Sequence, residues 1–141
     1  MVQNDLALMS HLMRRAGFGA ARDELEAYAD KGYEAVVEDL LHSERFSRVE
    51  EDVLCRYYPG LTLWDDRFVW AGRWIYCMVN TKRPLEEKMA LFWHHLFATA
   101  WYKSEHPPTL IRQIELFRRV GLSDLGTILL ELSRDPAMIY W

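Results

Sequence analysis

The chain has 141 residues, half of them hydrophobic and 13% aromatic, which is enough to build a core and too apolar for a disordered chain. Lys and Arg total 17 against 21 Asp and Glu, a formal net charge of −4, which argues against a nucleic-acid partner or an anionic membrane surface. No apolar run is long and unbroken enough to span a bilayer, and no charged stretch followed by an apolar run marks an export signal, so a cytoplasmic location is the default expectation.

In chain order the pattern reads as helix after helix. Asn4 or Asp5 caps a first helix, in which Leu6, Met9, Met13 and Ala16 recur at helical spacing up to Gly17. A second helix is expected over Arg22 to Lys31, ending at Gly32. A third is expected over residues 33–42, with Val36, Val37, Leu40 and Leu41 inward. Residues 43–53 are charged and read as a loop leading into a short helix, and Tyr57-Tyr58-Pro59-Gly60 reads as a turn.

Residues 64–80 form the next predicted helix. One apolar stripe holds Trp64, Phe68, Ala71, Ile75 and Met78, and an adjacent one holds Trp70, Trp74 and Cys77. A helix apolar over most of its circumference is expected to be buried on two sides, at the centre of the fold. Pro84, Glu86 and Glu87 suit the first turn of a following helix over residues 84–101. Its predicted core face is Leu85, Met89, Phe92, Trp93, Leu96, Phe97 and Ala100. Pro107 opens another helix, with Leu110, Ile111, Ile114 and Phe117 inward and Gly121 at its end. Ser123 caps the next, which carries Leu125, Ile128, Leu129, Leu130 and Leu132. Asp135-Pro136 ends that helix and starts a last one. No alternating strand pattern appears. The expected fold is therefore all-α: a bundle-like array of about eight helices in a single domain over residues 1–141, without a sheet, around an antiparallel pair formed by residues 64–80 and 84–101.

The pair His94-His95 invites a functional reading. With about 100° per residue from Leu85, the predicted core face centres at roughly 45°, His94 falls at roughly 180° and His95 at roughly 280°. Neighbours so far apart in angle do not share one ion, and the His-Glu-x-x-His zinc pattern is absent, so no metal site is expected. His94 off the core face reads as a general base, with Glu87 two turns below to orient it. The other reading has both histidines making helix-to-helix hydrogen bonds. Trp70, Trp74, Trp93 and Trp101 suit either core packing or stacking of a flat ligand. Arg14-Arg15 suits a helix C-terminus or an anion, and Gly17-Phe18-Gly19 is too short for a phosphate loop. Cys55 and Cys77 fit no metal or redox spacing; two buried thiols are favoured over one disulfide. Nothing in these residues points to a particular cofactor.

Three segments together resemble a known family. HLMRRAGFGA (residues 11–20), PLEEKMALFWHHLFATA (84–100) and RQIELFRRVGLSDLGTILLELSRDPAMIYW (112–141) are similar, in order and spacing, to the bacterial domain-of-unknown-function 1800 family. Gly17, Phe18 and Gly19 match its opening motif, Phe92, Trp93, His94 and Phe97 its central one, and Asp135, Pro136, Ala137 and Met138 its later one. His95 stands where asparagine is common, and Leu96 where a second histidine is common. The resemblance implies much longer helical proteins, many of them exported, whose genes neighbour a sulfatase-like family. This implies a sulfatase-like partner and a hydrolase-type activity, with His94 as acid/base and the site completed by following residues. The alternative is a non-catalytic helical scaffold or partner-binding module.

The last helix stops after about two turns on Met138, Ile139, Tyr140 and Trp141. With the many leucines before it, this predicts an N-terminal fragment of a larger helical protein, whose exposed apolar C-terminal face self-associates or docks further helices.

Overall fold

A computed structural model describes residues 2–50, 56–57, 67–97 and 99–141. Cys55, the expected turn at Tyr58-Pro59-Gly60 and the first turn of the expected helix at Trp64 lie outside the described residues. Among the described residues there are nine helices, one short 3₁₀ turn (Ser43–Arg45) and no strand, so the fold is all-α. The helices are α1 (Val2–Ala16), α2 (Arg22–Lys31), α3 (Tyr33–Leu41), α4 (Arg67–Asn80), α5 (Pro84–Leu96), α6 (Trp101–Ser104), α7 (Pro107–Val120), α8 (Leu125–Leu132) and α9 (Pro136–Tyr140). None is long and apolar enough to cross a membrane.

Among the described residues two apolar cores form. The first holds Met9 and Met13 of α1 with Val36 and Leu40 of α3, against which Leu25 and Tyr28 of α2 and Leu85 of α5 pack. The second holds Ala90 of α5, Leu116, Phe117 and Val120 of α7, and Ile128 and Leu132 of α8, with Trp74, Trp93 and Phe97 against it. Gly32 adopts a positive φ of 94° between α2 and α3, a conformation that a side chain would strain. At Gly17 a Cβ would stand 2.9 Å from the Cβ of Pro84, so glycine permits the end of α1 to meet the start of α5.

The predicted boundaries change at several points. The helix expected over residues 84–101 ends at Leu96. Ala100 is extended, and α6 is a separate single turn closed by Glu105 in the left-handed region. The break places the buried Thr99 hydroxyl 2.5 Å from Gln113 Oε1, to which it donates. The cap of α8 is Asp124 rather than Ser123: its carboxylate accepts from the Thr127 N–H at 3.0 Å and from the Thr127 hydroxyl at 2.6 Å.

The expected central pair needs correction as well. α4 does lie alongside α5, with Trp74 against it, but it is not buried on two sides. Ile75 is 59% and Val79 75% exposed, and Cys77 is its one buried apolar residue among those described. The most extensive helix packing is that of α5 on α7. The face that α5 buries is also not the predicted one. Glu86, Glu87 and Ala90 are buried, whereas Phe92 and Leu96 are about half exposed. The acidic residues turn inward because arginines await them there. On α7 the line Gln113, Leu116, Phe117 and Val120 is buried, while Leu110, Ile111 and Ile114 are only half-buried.

Candidate functional site

The first turn of α5 delivers two adjacent carboxylates into the protein. Glu87 is held by Arg118 of α7 at two points, Nε to Oε1 at 2.8 Å and Nη2 to Oε2 at 3.1 Å. The indole N–H of Trp74 on α4 donates to Glu87 Oε2 at 3.0 Å. Glu86 accepts the hydroxyl of Ser43 at 3.3 Å and pairs with Arg83 at 3.3 Å and Arg48 at 3.1 Å. Glu115 joins the network through Arg48 and Arg118. Three helices and the 3₁₀ turn are thereby tied together around a cleft of about 280 Å³ bordered by Arg48, Arg83, Arg118 and Cys77. Burial pushes the Cys77 thiol above its ordinary range, which leaves it protonated and a poor nucleophile. Among the described residues three arginines balance three glutamates at this cleft, and each of those carboxylates is held by an arginine.

His94 sits two turns further along the same face of α5. The prediction that it falls off the core face does not hold: the helix is rotated, and the ring packs edge-on to Trp74 with centroids 5.3 Å apart. Its Nδ1 is buried and has no hydrogen-bond partner among the described residues. Burial pushes the imidazole below its ordinary value, opposed in part by the Gln113 side chain. The ring is therefore neutral at pH 7. Glu87 does not orient it directly. Trp74 stands between the two, its ring on His94 and its N–H on Glu87. His95 faces solvent, pointing away from its neighbour as the helical angle requires.

A second polar chain runs behind His94. Gln113 is wholly buried; it accepts from Thr99 and donates its amide to Asp135 Oδ2 at 2.9 Å. Asp135 also caps α9 through the Met138 N–H at 2.9 Å. Sequence reading missed Gln113, although its spacing of three, four and seven from Leu116, Phe117 and Val120 places it in the core line. It also missed Arg118, which stands in the pair Arg118-Arg119 in the last turn of a helix, where basic side chains are expected in any case. Among the described residues no group of three or more His, Cys, Asp or Glu side chains is placed to hold a metal ion.

Residues of all three motif segments make contacts between elements. Gly17 seats α1 on Pro84, Trp93 donates its indole N–H to the Gly121 carbonyl at 2.8 Å, and Asp135 closes the polar chain. No curated protein and no solved structure matches the chain. A family model described as "Protein of unknown function (DUF1800)" matches residues 11–141, and the chain belongs to that family.

Proposed function

We propose that this chain is a non-catalytic helical scaffold that receives an amphipathic helix of a partner along α5. The observation that carries this is the divided apolar stripe of that helix. Leu85, at its start, is covered by the core of α1 and α3, while Phe92 and Leu96, further along the same stripe, are 51% and 58% exposed. The stripe is thus already an interface for helices over its first half and runs on uncovered over its second. Leu125 and Leu129 of α8 give a further exposed apolar pair at helical spacing. The carboxylates that a catalytic reading needs are held by arginines, which also favours a scaffold.

A labelled amphipathic peptide with leucines at i, i+3, i+4 and i+7 tests the proposal by fluorescence anisotropy. The wild-type chain should bind it saturably, and Phe92→Ser with Leu96→Ser should weaken binding at least about tenfold while leaving the circular dichroism unchanged. Equal binding by both proteins, or none by the wild type, overturns it.

One observation favours a second reading, a hydrolase-type site with His94 as general base. A half-buried, neutral imidazole whose buried Nδ1 has no partner among the described residues is a base held ready. In that reading the acidic partner comes from outside this chain, and Glu87 acts only through Trp74. If His94→Gln abolished hydrolysis of a simple aryl ester at unchanged stability, this reading would replace the scaffold.

A further inference from the structure

A groove of about 490 Å³ opens on the opposite side of the N-terminal core, where α1, α2 and α3 meet the link between α4 and α5. A second hollow of about 260 Å³ shares Met13, Glu24, Tyr28, Val79, Thr81 and Pro84 with it, so the two form one continuous channel past the end of α1. The size is that of a small-molecule site. Its floor is apolar and buried: Met13, Val36 and Leu40 are 3%, 2% and 7% exposed. Val79, 75% exposed, stands at the mouth.

The rim is polar and incompletely satisfied. Asp39 is neutralised by Lys31. Glu24 uses one oxygen to accept the Ala21 N–H at 2.8 Å and has no cationic partner among the described residues. Lys82, of opposite charge, likewise has no anionic partner among them, and the Tyr28 hydroxyl has no hydrogen-bond partner among them. The negative charges of Glu24 and Asp39 both act on that phenol, after burial, to raise its pKa, which places the acidic side of the groove at Tyr28. Glu24 and Lys82 are both exposed on the rim of one groove, and neither has an oppositely charged partner among the described residues, which leaves room for a ligand carrying the two complementary charges.

We propose that this groove binds a small zwitterion with an apolar body: an apolar amino acid. The ligand's ammonium pairs with Glu24 and the Tyr28 hydroxyl, its carboxylate with Lys82, and its side chain lies on Met13, Val36 and Leu40. This site is separate from the α5 stripe and from His94, so its fate is independent of the scaffold reading.

Three probes of one shape test it by calorimetry and by amide chemical shifts of the full chain: L-phenylalanine, phenethylamine and 3-phenylpropanoate. The zwitterion should bind most tightly, and the probe lacking the ammonium most weakly. Glu24→Gln keeps the acceptor for Ala21 and should weaken phenylalanine about tenfold. Lys82→Gln should do the same for phenylalanine yet leave phenethylamine unchanged. Neither variant should alter binding of the amphipathic peptide at Phe92 and Leu96. The proposal is overturned if no probe shifts the groove residues, if all three bind alike, or if Glu24→Gln binds phenylalanine as the wild type does.

Discussion

Glu87 and Arg118 face each other across α5 and α7 in a two-point ion pair whose side chains are only 7% and 8% exposed. Removing one partner of such a pair strands the other charge in the protein. Glu87→Ala should therefore cost about 3 kcal/mol, the low end for a broken buried pair because Glu115 still contacts Arg118. Replacing both with methionine should cost markedly less than Glu87→Ala alone. Urea unfolding of the three proteins checks this. A loss under about 1 kcal/mol for Glu87→Ala would show that water reaches the pair.

His94 makes stability depend on pH with a definite sign. Its folded-state pKa lies below the ordinary 6.5 because of burial. Above that value both folded and unfolded chains carry a neutral ring, and the full stability is present. As pH falls below about 6.5 the unfolded chain takes the proton first, so stability is lost progressively until the folded-state pKa is reached. His94→Gln should remove this part of the acid sensitivity. Parallel stability–pH curves for the two proteins between pH 7 and 5 would count against the buried imidazole.

The Thr99–Gln113–Asp135 chain predicts a pair of opposite behaviours. Gln113→Leu preserves volume but leaves the Thr99 hydroxyl and an Asp135 oxygen without their partner, a cost of about 2 kcal/mol at pH 7. Gln113→Glu instead sets a carboxyl beside Asp135. It should be worse than leucine at pH 7 and recover as the pH drops and the pair takes up a proton. Guanidinium unfolding at two pH values separates the cases.

Two glycines should respond in opposite directions to alanine. At Gly17 the added Cβ meets Pro84 at 2.9 Å, so Gly17→Ala should destabilise by about 1–3 kcal/mol as α1 is pushed off α5. At Gly72, inside α4, an added Cβ meets nothing within 4 Å, and Gly72→Ala should stabilise by about 0.5–1 kcal/mol. Thermal melts of both variants test the assignment.

Helix positions were legible because breakers act locally, whereas the expected caps missed: Asn4 and Asp5 lie within α1, and Asp124 replaces Ser123. Gly32, Pro84, Pro107 and Pro136 mark ends in the structure where the residues alone put them. The rotation of α5 was not legible. Hydrophobicity pointed to Phe92 and Leu96 as inward, whereas long-range arginine partners turn Glu86 and Glu87 inward instead. No local pattern encodes that Arg48 and Arg118 arrive from elsewhere in the chain. The same rotation lays the half-buried His94 ring against Trp74, so its place on the helix was readable and its surroundings were not. The motif residues Gly17 and Asp135 were recognisable as family signatures, but their roles as a close-approach point and a cap with a second bond appear only in three dimensions.

α5 supplies Leu85 to one core and Ala90 to the other, only five residues apart. Two apolar clusters strung on a single helix need not melt as one. Amide protons of α1 and α3 should exchange through one opening event and those of α7 and α8 through another. The α5 amides should be the slowest of all, because releasing them requires both cores to open. Much of the coupling between the two cores then runs through one thirteen-residue helix, with the Arg48–Glu115 pair beside it. A proline in its middle would convert a single unfolding transition into two.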